Sequence, residues 1–233
     1  MIEFFKQALI FLCKEIKQCF FPPNCLLCGK PEQDYLCASC YTKLKQDAVF
    51  CIENIKKKQG FYFEKHFYLF FYQGMAKKLL TQFKFGEKSY FAILFAKIMI
   101  KNEKLCGFLK KYDIIMPVPI HKKRKAQRGY NQSELICTEL VRIIRENKIG
   151  TIFLEKNCLQ KVKHNLPQSS LNRKERVENV KQVYSLRHPE RIKGKNIILV
   201  DDIYTTGSTV NACAKILKEN GAKTIIVVTI AKD

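Results

Sequence analysis

The chain of 233 residues contains no tryptophan and few acidic residues: 21 Asp and Glu stand against 42 Lys and Arg, so the formal net charge is +21. A chain this basic attracts polyanions such as nucleic acid, anionic membrane or phosphorylated metabolites. Because 34 of the basic residues are Lys, compositional bias is the alternative interpretation. Arginine is absent before residue 124 and after residue 191. Since guanidinium groups bind phosphate bidentately, this confinement favours phosphate handling between those positions.

Long hydrophobic runs are also absent from the start of the chain. The longest uncharged run there, Gln7–Cys13, is far too short to span a bilayer, and Met1–Phe21 lacks the features of a secretory signal. We therefore expect a cytoplasmic protein whose eleven cysteines are reduced thiols. Apolar residues at helical spacing before Pro22 predict an amphipathic helix, docked on its own domain or, alternatively, on a membrane surface or a partner.

The remainder of the chain combines predicted strands and helices. An aromatic strand and two helices are predicted first, and from Asp113 onward short apolar runs alternate with periodic helical segments. This alternation predicts a parallel sheet, in which ligands bind beyond the carboxyl ends of the strands. The predicted strands are Phe61–Tyr72, Ile114–Val118, Thr151–Leu154, Asn196–Val200 and Thr224–Ile230, and the predicted helices include Met75–Phe83, Phe91–Lys101, Ser133–Glu146 and Thr209–Glu219.

The segment Ile197–Thr209 is the most informative part of the chain. Its apolar strand ends in the adjacent carboxylates of Asp201 and Asp202, and a loop of hydroxyl residues around Gly207 then opens a helix. Adjacent acids can accept hydrogen bonds from vicinal ribose hydroxyls, and the N–H groups of such a loop can cradle a phosphate. Simple helix capping is the structural alternative, but it does not account for the whole string. The segment therefore predicts a ribose-phosphate site.

Four cysteines are arranged as two CxxC pairs, Cys25 with Cys28 and Cys37 with Cys40. Two such pairs can supply four thiolates to a tetrahedral zinc ion, whereas four unrelated buried thiols are the alternative. Because Cys51 has no CxxC partner, we expect one structural zinc.

The string Val200–Thr209 resembles the phosphoribosyl pyrophosphate signature of type I phosphoribosyltransferases. After about residue 22, nearly the whole chain resembles the ComF family, also called the GntX family, of bacterial competence-related proteins. The matching pieces are the cysteine module, Tyr72-Gln73-Gly74 leading to Phe83-Lys84-Phe85, Pro117-Val118-Pro119 leading to Arg128-Gly129-Tyr130-Asn131-Gln132, and then Gln168, Arg173, Arg176 and Asn179.

The resemblance implies an α/β fold with a type I phosphoribosyltransferase-like parallel sheet, an N-terminal helix and a small zinc module. The expected divisions are residues 1–24, 25–60 and 61–233, with Lys56–Gly60 as the linker. The resemblance also implies that Asp201 and Asp202 hold the ribose hydroxyls, help to bind Mg²⁺ and serve any catalysis. The phosphoribosyl pyrophosphate site would include Tyr204, Thr205, Thr206, Gly207, Ser208 and Thr209.

A loop after Pro119 would bind pyrophosphate by the same resemblance, and Lys161–Asn179 would form the flap that closes over the ligand. A solvated basic loop is the alternative for the second segment. The basic residues assigned to these two segments are Lys122, Lys123, Arg124, Lys125, Arg128, Arg173 and Arg176.

The pathway that the resemblance implies is natural transformation, with single-stranded DNA and other DNA-uptake proteins at the inner membrane as partners. Phe61–Tyr72 and Phe83-Lys84-Phe85 combine aromatic and basic residues of the kind that stack bases, although core packing is the alternative for these aromatics. Two other functions stay open: an active phosphoribosyltransferase with an unknown acceptor, and a regulator that senses phosphoribosyl pyrophosphate.

Overall fold

In the computed structural model, which describes residues 24–32, 35–55, 59–85, 90–163 and 183–233, the chain divides into two compact units, Met1–Asp47 and Ala48–Asp233. The smaller unit contains the cysteine module and helix α1, Ala38–Gln46. The predicted N-terminal helix lies outside the described residues.

The larger unit is built on a mostly parallel sheet. Its strands are β1 (Ala48–Asn54), β2 (Lys65–Phe71), β3 (Ile114–Pro117), β4 (Phe153–Leu154), β5 (Leu159–Lys161), β6 (Tyr184–Leu186), β7 (Asn196–Tyr204) and β8 (Thr224–Lys232). Six of them form one sheet in the order β1-β2-β8-β7-β3-β4, in which only β1 runs antiparallel to its neighbour. Strands β5 and β6 form a separate antiparallel pair. The predicted α/β class with a parallel sheet is therefore confirmed.

Helices cover the central strands. They are α2 (Gly74–Phe85), α3 (Tyr90–Ile100), α4 (Glu103–Lys111), α5 (Lys122–Arg128), α6 (Gln132–Glu146) and α7 (Ser208–Glu219). Helix α6 packs on β3 and β7, α3 packs on α6, and α7 packs on β7 and β8. Ile197–Val200 and Ile225–Ala231 are buried throughout, which explains their unbroken apolar runs, because strands covered on both faces have no solvent side.

Two segments depart from the expectations drawn from the sequence. Strand β1 falls within the span 25–60 assigned to the zinc module and linker, but it pairs with β2 and belongs to the larger unit. Its partner lies beyond the predicted linker, so local sequence could not reveal the pairing. Residues 56–58 of that linker lie outside the described part of the chain.

The segment after Pro119 is the second departure, because Lys122–Arg128 forms helix α5 rather than a loop. The His121 side chain accepts a hydrogen bond from the Lys123 N–H at 3.3 Å, and Gly129 ends the helix in the left-handed region. None of the helix is buried, so it leaves no apolar periodicity in the sequence.

Across the described ranges, no helix combines the length and the apolar character that crossing a bilayer requires.

Candidate functional site

Strand β7 carries the acid pair to the carboxyl edge of the sheet. Asp201 and Asp202 follow its buried apolar residues and are themselves half-buried. The N–H of Val118 donates to the Val200 carbonyl at 2.8 Å, so the chain leaving β3 passes directly beside them. Both carboxylates therefore lie at the edge where parallel α/β sheets bind ligands.

Asp201 is held by the start of α6 and by its own neighbour. Its Oδ1 accepts a hydrogen bond from the Ser133 hydroxyl at 3.1 Å and another from the Asp202 N–H at 2.9 Å. Burial, and then the adjacent Asp202 carboxylate, raise the pKa of Asp201 to about 7. The pair therefore carries charge repulsion that a bound cation would relieve.

Lys84, in the last turn of α2, forms an ion pair with the second acid. Its Nζ lies 3.2 Å from Asp202 Oδ2, and the two side chains are only 19% and 17% exposed. The ammonium group also lowers the pKa of Asp201, against the effects of burial and of Asp202. In the sequence, Lys84 belongs to a segment predicted to stack bases or to pack in the core. Its contact with Asp202 could not be predicted, because no local pattern joins two residues so far apart in the chain.

The segment Arg128–Gln132 fixes the helix that carries this lysine. The Tyr130 hydroxyl donates to the Phe83 carbonyl at 2.7 Å, and the two rings stack with centroids 5.9 Å apart. Asn131 caps α6 and donates from Nδ2 to the Val118 carbonyl at 3.0 Å. One short motif thus ties together the end of α2, the end of β3 and the start of α6.

The loop Thr205–Thr209 follows the acid pair and leads into α7. Gly207 has a φ of +76°, and a Cβ at this position would collide with the ring and hydroxyl of Tyr204. The Tyr204 ring stacks in turn on the buried His66 imidazole, with centroids 4.0 Å apart. The Tyr204 ring thus underlies the loop and forms its floor. Only glycine suits position 207, because its φ is in the left-handed region and because the Tyr204 ring leaves no space for a Cβ. The Ser208 N–H donates to the Thr206 hydroxyl at 3.4 Å. The N–H groups that follow it in the first turn of α7 have no partner within the helix, so they can face an anion.

Three cations, Arg124, Arg128 and Lys161, lie close enough to one another and to the acid pair to interact through their charges. Burial, followed by the charge of Arg124, lowers the pKa of Arg128 in α5 and of Lys161 in β5. Against these effects, Asp202 and then Tyr130 raise the pKa of Arg128, and Cys213 and then Asp201 raise the pKa of Lys161. The three cations repel one another, and so do the two carboxylates near them. A ligand that carries both an anionic group and a metal cation would relieve both repulsions.

A cleft of about 460 Å³ opens beside Lys161 at the end of β3; we call it the carboxyl-end cleft. Lys122 and Lys123 are exposed, and Lys125 forms a 2.9 Å ion pair with Glu134. The lining residues are Pro117, Pro119, Ile120, His121, Lys122, Lys125, Asn131, Glu134, Lys156, Leu159, Gln160, Lys161, Val162 and Arg187.

Strands β5 and β6 flank the segment Lys161–Asn179, which the sequence predicts to be a flap and which we call the excursion. The Lys161 Nζ lies 5.5 Å from the centroid of the buried Tyr184 ring. Burial raises the pKa of Tyr184, the charges of Cys213 and Asp201 raise it further, and its side chain forms a hydrogen bond with Thr209. The base of the excursion is therefore at the acid pair. Arg173 and Arg176, like Gln168 and Asn179, lie outside the described residues.

In the smaller unit, the four predicted cysteines come together. Their Sγ atoms all lie within 4.8 Å of one another, and the sulfurs of Cys28 and Cys37 are 3.7 Å apart. Zn–S bonds of about 2.3 Å in a tetrahedron require sulfurs roughly 3.8 Å apart, so the donor set fits zinc. Burial opposes ionisation of Cys25, but N–H donors of the module lower its pKa to about 6. No disulfide joins any of the described cysteines.

Comparison with protein families matches the carboxyl-terminal part of the chain. Residues 153–233 match the phosphoribosyl transferase domain. The matched stretch contains β7, the acid pair, the loop and α7.

Comparison with individual proteins finds relatives over a longer part of the chain. The chain is 28% identical to Competence protein F of Haemophilus influenzae over 213 residues, covering 89% of this chain and 90% of the relative. It is 24% identical to Competence protein ComFC of Bacillus subtilis, covering 84% and 72%. Its match to the DNA utilization protein YhgH of Salmonella typhimurium is 31% identical but spans 64% of this chain and only 63% of that relative.

Solved structures align at lower identity. The allosteric regulatory enzyme of purine biosynthesis aligns with a TM-score of 0.40 and 15% identity, over 64% of this chain and 30% of that one. A hypoxanthine phosphoribosyltransferase from Staphylococcus aureus aligns with a TM-score of 0.36 and 10% identity, over 68% and 65%.

Proposed function

Because this chain belongs to the ComF family, we propose that it has a competence-related role in which it binds phosphoribosyl pyrophosphate together with Mg²⁺. The observation that carries the ligand proposal is the charge arrangement at the end of β7. Two carboxylates that repel each other, Asp201 and Asp202, adjoin a cluster of cations that also repel one another. A polyphosphate with a divalent cation neutralises both groups at once.

The acid pair and the loop that follows it bind different parts of the ligand. Asp201 and Asp202 accept hydrogen bonds from the ribose hydroxyls and help to hold the metal. The N–H groups and hydroxyls of Thr205–Thr209 bind the 5-phosphate above the Tyr204 floor. Lys84 pairs with Asp202 in the chain without ligand, and bound Mg²⁺ would replace its positive charge at that carboxylate.

The basic residues complete the site. Residues of α5 and the excursion contact the pyrophosphate and exclude water from it. When bound, Mg²⁺ neutralises the pyrophosphate oxygens. The proposed contacts are Lys122, Lys123, Arg124, Lys125, Arg128, Arg173 and Arg176.

Calorimetric titration of phosphoribosyl pyrophosphate with Mg²⁺ tests this proposal. The double substitution Asp201→Asn with Asp202→Asn should weaken binding by at least about 100-fold, since hydrogen bonds to charged groups contribute about 1.5–3 kcal/mol each. The matched control is Glu139→Gln with Glu146→Gln, which removes two charges from the exposed side of α6. Unchanged affinity in the Asn variant would mean that the acid pair does not bind the ligand.

The carboxyl-end cleft favours a second candidate, an active phosphoribosyltransferase, because its volume of about 460 Å³ could admit a small acceptor. Pyrophosphate release measured with and without single-stranded DNA separates turnover from binding alone. Binding without release under every condition would favour a sensor of phosphoribosyl pyrophosphate.

We also propose single-stranded DNA as a partner, together with other DNA-uptake proteins at the inner membrane. The net charge of +21 supports sequence-independent binding through phosphates. The names of the relatives, Competence protein F and DNA utilization protein YhgH, agree with such a partner.

A further inference from the structure

A second cleft, of about 710 Å³, lies at the other end of the strands; we call it the amino-end cleft. It lies beside the first residues of β3 and β4 and the residue before β7. From Asn196 to Asp201, β7 spans roughly 17 Å at about 3.3 Å per residue, so the cleft is well separated from the acid pair. The lining residues are Lys110, Lys111, Tyr112, Asp113, Ile114, Thr151, Phe153, Glu155, Arg191 and Lys195.

The two acids of this cleft have partners other than its three exposed lysines. Asp113 accepts a hydrogen bond from the Asn196 N–H at 2.7 Å. Glu155 is buried, accepts hydrogen bonds from the N–H groups of Asn157 and Cys158, and forms an ion pair with Arg191 at 3.2 Å. The four cations of the lining outnumber its two carboxylates, so the cleft keeps a net positive charge.

Three lysines of the cleft keep their charge open to solvent. Lys110, Lys111 and Lys195 are exposed, and within the described part of the chain none of them forms an ion pair. They come from two separate segments, the end of α4 and the turn before β7. Together they give the cleft a positive wall that suits a chain of phosphates.

An aromatic platform lies among these charges. Phe153 is 58% exposed, the most exposed large hydrophobic side chain of the described residues, and it belongs to the edge strand β4. Tyr112 also lines the cleft and adds a second ring, whose pKa burial raises to about 12. An exposed ring beside exposed cations is the combination that binds unpaired bases by stacking and their phosphates by charge.

We propose that the amino-end cleft is the surface on which this protein binds single-stranded DNA. This inference rests on the proposed function, since it assigns a surface to a partner already proposed there. The concave shape favours a nucleic acid strand over a membrane, because a bilayer surface cannot enter a cleft. The separation from the acid pair means that the strand and phosphoribosyl pyrophosphate bind at the same time.

Fluorescence anisotropy with a labelled oligothymidine tests the assignment on the full chain. The triple substitution Lys110→Glu, Lys111→Glu and Lys195→Glu should weaken binding at least tenfold at near-physiological salt. Phe153→Ala should weaken it about tenfold through lost stacking. The aromatic control is Phe71→Ala, since Phe71 is 45% exposed at the end of β2.

The charge control is Lys122→Glu, Lys123→Glu and Lys125→Glu, which makes the same change in net charge on α5. It should weaken phosphoribosyl pyrophosphate binding while leaving most of the DNA affinity. Conversely, the amino-end variants should keep their affinity for phosphoribosyl pyrophosphate, which also shows that they fold.

Three other results would contradict the proposal in different ways. Failure of the unaltered protein to bind oligothymidine would remove DNA from the proposed function. Binding that survives the amino-end substitutions but not those on α5 would move the DNA to the carboxyl-end cleft. If vesicles containing phosphatidylserine, and not DNA, lose affinity for the amino-end variants, the surface contacts a membrane and the assignment is wrong.

Discussion

Lys84 is the cation that the folded chain itself brings to the acid pair. The carboxylates need it, because burial and mutual repulsion raise the pKa of Asp201 to about 7. A carboxyl group whose folded pKa is raised contributes stability fully below its unfolded pKa and loses it as pH rises through the folded value. The ionisation of Asp201 should therefore lower the stability of the ligand-free protein as the pH rises from about 4 to about 8.

Substitution of Lys84 by Met should enlarge that loss. Without the ammonium group the folded pKa of Asp201 rises further, so the cost of ionising the pair grows. At pH 8 we expect Lys84→Met to lower the free energy of unfolding by about 1 kcal/mol, or the melting temperature by roughly 2–4 °C, and at pH 5 by less. Thermal melts at both pH values measure this difference.

The control is Lys125→Met, which also removes an ion pair, with Glu134, but one whose lysine is 51% exposed. Its effect should be small and should not depend on pH in this range. A Lys84→Met penalty of equal size at pH 5 and pH 8 would contradict the account of the acid pair.

At the same scale, Gly207 shows where sequence reasoning stops. The sequence marks Gly207 only as the glycine of a phosphate-binding loop. The structure adds that the Tyr204 ring occupies the space a Cβ would need. The contact between Lys84 and Asp202 was not predictable at all, because it depends on how α2 and β7 pack.

At the scale of elements, the sequence predicts best those segments whose neighbours are local. The string from β7 through the loop to α7 was predicted with bounds close to those observed, because an apolar run, two acids and a glycine mark its parts. Helix α4 was missed; it is short, and its Asn102 cap, which accepts the Leu105 N–H at 3.0 Å, is easily overlooked. Strand β1 was assigned to the wrong unit, because its pairing with β2 is tertiary.

The cysteine module is an element whose function can be tested by its metal. We expect one zinc per chain after washing with a weak chelator, because four thiolates at the observed spacing satisfy tetrahedral coordination. Replacing Cys25, Cys28, Cys37 and Cys40 together by Ser should remove the metal and unfold the module. Elemental analysis measures the metal content.

The matched control for this experiment is Cys51→Ser with Cys106→Ser, which removes thiols outside the cluster. It should keep a full equivalent of zinc. Less than half an equivalent in the unaltered protein, or metal retained after all four replacements, would show that the cluster is not a zinc site.

At the scale of the whole molecule, part of the excess positive charge lies at each of the two ends of the strands of one sheet. The carboxyl ends of β3 and β7 meet the cations around the acid pair, and the amino ends meet Lys110, Lys111 and Lys195. Composition alone predicted an affinity for polyanions without saying where they bind. Only the folded sheet, which separates residues close in sequence and joins distant ones, divides the charge into two clefts.

This division predicts how the two ligands affect each other. If Lys and Arg neutralise DNA phosphates, the logarithm of affinity should fall linearly with the logarithm of salt, with a slope of about 0.7 per contact for single strands. Because the two clefts lie at opposite ends of the strands, saturating phosphoribosyl pyrophosphate with Mg²⁺ should leave both the affinity and the slope unchanged. Anisotropy titrations of oligothymidine across a range of salt concentrations measure both quantities.

Two substitution sets give this measurement its resolution. Lys110→Gln with Lys111→Gln and Lys195→Gln should reduce the slope by about 2, corresponding to three lost contacts. Neutralising Lys122, Lys123, Arg124 and Lys125 together should leave it close to that of the unaltered protein. If the α5 set lowers the slope and phosphoribosyl pyrophosphate displaces the DNA, the two ligands share one cleft. A slope near zero in the unaltered protein would show instead that the charge of +21 plays no part in DNA binding.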